Sequence, residues 1–266
     1  MAFVEVSGLT IYPLKSAAGV QVERIELDRF GFVGDRRWMV VDDAGRFLTQ
    51  RRLPRMCLLQ AQTDENDSLT LTAPGMDVLH TPAPFYAEST VVQIWNDECA
   101  AIDAGDDAAR WLQQFLGCSC RLVYFPEESV RQVDTTYARA GELTALSDGF
   151  PILLISEASL SDLNNRLAAP VTMDRFRPNL VVKGCLPFAE DGWKTLALGS
   201  LRLRVVKPCS RCIIPNIDQQ SAQTQSEPVA TLTTFRRQEN KVMFGQNVVH
   251  EGRGSLAIGD RLEIIA

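Results

Sequence analysis

The chain has 266 residues, enough for one large domain or two modest ones, with the 45% hydrophobic and 23% charged content of an ordinary globular protein. Its net charge of −6 argues against a general nucleic-acid binder, which needs a basic face, but leaves room for a local cationic pocket. No apolar run reaches the roughly 18–20 residues of a membrane span. The N-terminus lacks a signal-peptide layout. Seven cysteines, an odd number, then point to reduced thiols and a cytoplasmic location, with no nucleic-acid or membrane partner.

Residues 4–11 alternate apolar and polar side chains, as a half-buried strand does, and run into the turn Tyr12-Pro13-Leu14-Lys15-Ser16. Residues 20–27 alternate again. Residues 35–42 are charged at their mouth and apolar beyond. Asp42-Asp43-Ala44-Gly45 reads as a hairpin turn, with 46–49 the returning strand. Short strands are expected at 56–63, 69–73 and 91–95. A helix is expected over 103–116, capped by Asp106 or Asp107, with Ala109, Trp111, Leu112, Phe115 and Leu116 as its apolar stripe.

After a strand at 121–124, the polar segment 126–136 is the natural boundary between an N-terminal unit, residues 1–122, and a second unit, residues 123–266. The second half opens with a buried strand at 151–155 and a helix at 156–164. A strand with a basic entrance follows at 176–182, then two more over 193–203. Residues 218–227, rich in Gln and Ser, read as a mobile loop, and 248–249 and 261–265 as closing strands. Many short strands with two or three helices specify a mainly β, α+β protein of two β-barrel-like units. The alternation of a doubly wound sheet is missing.

The chemistry concentrates in Val205-Val206-Lys207-Pro208-Cys209-Ser210-Arg211-Cys212-Ile213-Ile214-Pro215-Asn216. A strand through Leu201, Leu203 and Val205 should end at Pro208 and deliver both cysteines to a turn. Lys207 and Arg211 make the surroundings positive, which favours thiolate, the form that attacks electrophiles and binds soft metals. Other uses of the thiols remain open. Cys118 and Cys120 could join them in a zinc site, although Cys-x-Cys is an unusual half. A thioredoxin-like pair needs a helix to follow, which Ile213-Ile214-Pro215 does not begin. Two idle thiols would satisfy the same spacing. The two histidines, His80 and His250, have no nucleophile motif nearby, and neither glycine-rich nucleotide motif occurs. Lys15, Arg36, Arg177 and Arg211, at strand ends beside Ser, Gly and Asn, look like parts of an anion pocket.

Six segments carry a family resemblance: Tyr12-Pro13-Leu14-Lys15-Ser16, Gly34-Asp35-Arg36-Arg37-Trp38, Ser156-Glu157-Ala158-Ser159-Leu160, Phe176-Arg177-Pro178-Asn179, Pro208-Cys209-Ser210-Arg211-Cys212 and Phe244-Gly245-Gln246-Asn247. In order and spacing they resemble MOSC-domain proteins with an N-terminal β-barrel, such as the mitochondrial amidoxime reducing component and its bacterial relatives. The resemblance implies a MOSC N-terminal β-barrel domain over 1–122 and a MOSC domain over 123–266. It also implies a molybdenum cofactor, with the metal held by a pterin dithiolene and one cysteine.

By position, Cys212 would be the catalytic metal ligand and Cys209 a neighbour. Lys15, Ser16, Arg36 and Arg177 fall where the family holds the pterin and its phosphate, with Asn179, Ser210 and Arg211 in or beside that site. Asn247 stands where the amidoxime-reducing relatives have a tyrosine. Gly149 and Phe150 replace a Thr-Ser pair, so phosphate contacts there would come from backbone N–H groups. The implied activity is reduction of small N-hydroxylated compounds. No cysteine cluster of a C-terminal iron–sulfur domain is present, so electrons are expected from a separate iron–sulfur or flavin protein. The alternative for Cys212 is a persulfide, handing sulfur on for cluster or cofactor maturation. A weaker one is storage of the cofactor without turnover.

Overall fold

The structure is a computed structural model that describes residues 2–85 and 87–265. Its second half is organised around a closed, seven-stranded barrel. In order around the barrel, the strands are Ile152–Ser156, Leu180–Lys183, Phe3–Ile11, Arg261–Ile265, Thr195–Leu198, Leu201–Arg211 and Lys241–Glu251. The last closes onto the first through Ile152↔Val248, Leu153↔Asn247 and Leu154↔Gln246. Closure removes the exposed edges that an open sheet would leave. Val4, Val6, Leu154, Val182, Leu196, Leu203, Val248 and Leu262 fill the interior.

The alternation read along 4–11 is real but broken once. Val4 and Val6 point inward, and the next inward residue is Leu9, because the pairing with Leu180–Lys183 slips between Val6 and Gly8. This is a β-bulge. Gly8 suits it, since a Cβ there would stand 3.1 Å from the Val181 side chain.

The other unit is built from smaller sheets. Trp38–Val41, Arg121–Tyr124, Asp97–Asp103 and Ser89–Ile94 form one, and Gln60–Thr63, Leu69–Thr72 and Leu79–Thr81 another. The helix Asp106–Leu116 packs Leu112 and Phe115 into their shared core with Trp38, Val40, Met56 and Tyr124. The expected α+β class with two barrel-like units therefore holds, one barrel closed and the other made of partial sheets.

Several local expectations are corrected. The first helix starts at Asp106, and Gly105 rather than an aspartate stands at its N-cap. Residues 46–49 form no regular strand: they lie between Trp38–Val41 and Ser89–Ile94, joined to each by an isolated bridge, Val41↔Phe47 and Arg46↔Gln93, and by bonds such as Leu48 N to Val40 O and Phe47 N to Gln93 O. Residues 56–63 divide into a 3-10 turn, Pro54–Leu58, and a strand, Gln60–Thr63. Ser156 caps the helix Glu157–Asn164 by accepting from Ser159 N at 3.1 Å.

Pro208 does not end its strand. The strand runs on to Arg211, with register slips at Val205/Lys207 and Pro208/Ser210 that accommodate a residue unable to donate to the ladder. The segment 218–227 is a loop, tied by Asp218 Oδ1, which accepts from Gln220 N and Ser221 N, and by the bridge Ile217↔Thr224. The helix Val229–Phe235, which follows it, has no counterpart in the sequence reading.

Candidate functional site

The turn after the first barrel strand is sewn to the N-terminal unit. Lys15 N donates to Trp38 O at 2.8 Å and Arg36 N to Tyr12 O at 2.8 Å. Those bonds place Lys15 and Arg36 at the seam between the two units. From the barrel side come Arg177, which ends the short 3-10 turn Met173–Phe176, and the cysteine strand Leu201–Arg211. Ser16, Arg36 and Arg177 all have left-handed backbone, with φ of 68°, 50° and 56°. Such conformations cost non-glycine residues roughly 1–2 kcal/mol each, and their clustering marks a site where the surroundings impose geometry.

All eleven site residues singled out in the sequence border one shallow cleft at this seam. The cleft holds about 130 Å³ and opens to solvent, so a group seated there keeps one face accessible. Five of its lining side chains are cationic, Lys15, Arg36, Arg51, Arg177 and Arg211, against a single carboxylate, Asp148. A larger groove of about 1040 Å³ shares Arg177 with this cleft and has no cysteine in its wall.

The cations are held by specific partners. Lys15 Nζ, 4% exposed as a residue, donates to Leu146 O at 2.8 Å and to Asp148 Oδ1 at 2.7 Å. Burial pulls its pKa down to about 8, with Asp148 pulling the other way. The Asp148 carboxylate is 62% exposed; partial desolvation opposes its charge, but the Lys15 ammonium holds it below the usual carboxylate range. Arg36 donates to Asp35 Oδ2 at 2.5 Å and to Asn179 Oδ1 at 2.9 Å. Arg177 donates to Ala17 O at 2.5 Å.

The guanidinium carbons of Arg36 and Arg177 lie 4.5 and 4.2 Å from the Tyr12 ring. Burial pushes the Tyr12 hydroxyl up to about 12 despite these two cations, so it stays a neutral phenol and donates to Pro178 O at 3.1 Å. Asn179 anchors the floor, donating to Thr10 O at 3.1 Å and accepting from Leu153 N at 3.2 Å.

Around the thiols the sequence reading needs correction. Lys207 does not attend them: its Nζ lies 4.1 Å from the centre of the Tyr137 ring and is absent from the cleft wall. Arg211 does attend a thiol, but that of Cys209, at 3.1 Å, while its other terminal nitrogen donates to Phe176 O at 2.7 Å. The Arg211 Nε is buried without a partner. Ile214 N points at Cys212 Sγ at 3.5 Å, a weak contact that orients the sulfur. Asn247 lies on the facing barrel strand, opposite Lys207 in the ladder. All seven cysteines are free, and among the described residues no cluster of three or more His, Cys, Asp or Glu forms a metal site, so the four-thiolate zinc arrangement is not made.

Sequence reasoning missed Thr49, Arg51, Ser147 and Asp148, which also line the cleft. It also passed over Arg131, which lies in the segment read as a linker yet is 4% exposed. Arg131 donates to Ala145 O at 3.0 Å and Ser147 O at 2.6 Å and pairs with Asp97 at 2.8 Å, setting the shape of the loop that carries Asp148 and Gly149. The only signal in the chain was an arginine inside an otherwise weakly patterned stretch.

Fold and site together define a MOSC-domain protein. The profile of the MOSC N-terminal beta barrel domain matches residues 3–119, and that of the MOSC domain matches residues 142–263. The chain is 35% identical, over 98% of its length and 82% of theirs, to mitochondrial amidoxime-reducing component 1 of Mus musculus and of Homo sapiens. It is 37% identical to mitochondrial amidoxime reducing component 2 of Rattus norvegicus, over 96% of this chain and 81% of that protein. The chain belongs to the MOSC-domain family that contains the mitochondrial amidoxime-reducing components.

Proposed function

We propose that this protein is a molybdenum-cofactor oxidoreductase that reduces small N-hydroxylated compounds, taking electrons from a separate iron–sulfur or flavin protein. Family membership supports the reading, and one observation carries it: a half-exposed cysteine, Cys212, on the wall of a cleft where five cations meet one carboxylate. The residues fit a phosphorylated pterin. A phosphate dianion needs an excess of donors, which the buried Lys15 and the half-buried Arg36 and Arg177 supply, and the unpartnered Arg211 Nε is a further donor aimed at no protein acceptor. A thiolate suits a metal of intermediate softness.

On this reading Cys212 would hold the metal through its sulfur, oriented by Ile214 N. Lys15, Ser16, Arg36 and Arg177 would hold the pterin and phosphate, with Asn179, Ser210, Arg211, Asn247 and the backbone of Gly149 and Phe150 beside them. The cofactor supplies two-electron and oxygen-atom chemistry. Converting N–OH to N–H consumes two electrons and two protons and releases water. The open cleft lets both substrate and electron donor approach.

The test is content rather than turnover. Protein purified from cells able to make the cofactor should carry molybdenum and pterin at near one per chain. Cys212→Ala should lose the metal while staying folded, and Cys209→Ala should retain it. Folded wild-type protein with neither component would sink the reading. The free, half-exposed Cys212 thiol also meets the needs of a sulfur carrier. A one-sulfur mass adduct on Cys212 after incubation with a cysteine desulfurase, in protein lacking molybdenum, would favour that alternative.

A further inference from the structure

Arg51 differs from the other cations of the cleft. Lys15, Arg36, Arg177 and Arg211 each donate at least one hydrogen bond to protein oxygen or sulfur. Among the described residues Arg51 is held by aromatic rings instead: its guanidinium carbon lies 4.4 Å from the Trp95 ring centre and 6.0 Å from that of Phe47. Arg51 also lines the cleft, close enough to act on Asp148, and a guanidinium held by rings keeps N–H donors for a ligand.

Trp95 is costly to place there. Ile94 pairs with Asp97, so Trp95 and Asn96 are the two central residues of a tight hairpin turn. Trp95 has φ of 56° and is 48% exposed. Two-residue hairpins favour Asn or Gly at such a position, and a bulky aromatic is an outlier. The turn thus spends conformational strain on a large exposed ring that packs on Phe47, at 5.0 Å, and on Arg51. Strain of this kind gathers at ligand clamps. The charge balance agrees: with Arg36 paired to Asp35, Asp148 counted and a pterin phosphate dianion bound, the cleft still keeps positive charge uncompensated.

We infer that Arg51, fixed by its stack on Trp95, is a specificity-determining residue that binds an anionic group, a carboxylate above all, carried by the N-hydroxylated substrate. The guanidinium offers two parallel donors that match a carboxylate, and the aromatic stack holds them in place before binding. The N-hydroxyl part of this inference rests on the reductase reading; the anion site itself does not.

The experiment compares a neutral aryl amidoxime with its para-carboxylate, on wild-type protein and on Arg51→Gln, Arg51→Lys and Trp95→Asn. Asparagine tolerates the turn's backbone and removes only the ring. Binding is read by calorimetry without turnover and reduction by steady-state kinetics, with molybdenum and pterin content measured in parallel. Wild type should favour the carboxylate by about tenfold in affinity and KM, at similar kcat. The preference should vanish in Arg51→Gln, persist weakly in Arg51→Lys and fall in Trp95→Asn. Equal preference in wild type and Arg51→Gln would overturn the inference. So would loss of pterin in Arg51→Gln with the preference intact, which would assign the arginine to the cofactor. Calorimetric preference for the carboxylate with neither compound reduced by any sample would sink the reductase reading and leave the anion site standing.

Discussion

Lys15 sets the pH behaviour of the cleft. Its pKa of about 8 in the folded protein lies below the ordinary 10.5 because the side chain is buried, with Asp148 only partly offsetting that cost. Between those two pH values the unfolded chain holds a proton that the folded chain has shed, so Lys15 makes stability rise with pH in that window and adds no slope below it. Anion binding changes in the opposite sense, because the cleft loses a cation as pH passes about 8. Sulfate, a dianion throughout, titrated against the protein from about pH 7 to about pH 9.5 should bind more weakly at the alkaline end. Asp148→Asn removes the attraction that keeps Lys15 charged and should move that decline to lower pH. An unmoved midpoint would mean that another group titrates. Lys15 was legible in the chain as a cation at a strand end; Asp148 was not, because its partner is 133 residues away.

The barrel strands depend on a few positions where no side chain fits. Gly245 has φ of 83°, and a Cβ there would stand 2.7 Å from Ile155 Cγ1 and 2.9 Å from Leu154 O. This is where Lys241–Glu251 closes the barrel against Ile152–Ser156. Gly245→Ala combines left-handed strain with overpacking and should cost about 2–4 kcal/mol. The check is urea unfolding, where the midpoint should fall with little change in slope; an unchanged midpoint would contradict the geometry. Because Asn247 lies two residues on, a shifted strand also displaces the cleft wall. The strand itself was only partly readable: the sequence suggested 248–249, whereas it begins at Lys241 and passes through residues whose alternation is interrupted by Gly245. Pro208 misled for a related reason, since a proline that ends one strand sits in another where the ladder slips.

At the scale of the molecule, the first strand belongs to the last unit. Phe3–Ile11 lies between Leu180–Lys183 and Arg261–Ile265, with bonds such as Gly259 N to Val6 O at 2.8 Å completing the junction. Arg24–Asp28 likewise pairs with Gly254–Ala257. A fragment of residues 123–266 therefore opens the barrel and exposes Val182, Leu196 and Leu262, and it should show no cooperative unfolding transition while binding a hydrophobic dye. A cooperative melt of that fragment would show that the barrel closes without its N-terminal strand. The same crossing of chain segments builds the site, because the turn leaving Phe3–Ile11 carries Lys15 and Ser16 to the rim of a cleft whose thiols lie about 200 residues later in the sequence.

Local pattern determined the β-rich class, both main helices and the cations that could meet an anion, because periodicity, capping residues and charge are properties of neighbouring residues. Which thiol Arg211 attends, that Arg51 stacks on a strained Trp95, that Arg131 is buried under the cleft and that strand Phe3–Ile11 closes the far barrel were decided only in three dimensions. Each depends on residues far apart in the chain, whose proximity comes from barrel closure and hydrogen-bond satisfaction across the whole fold.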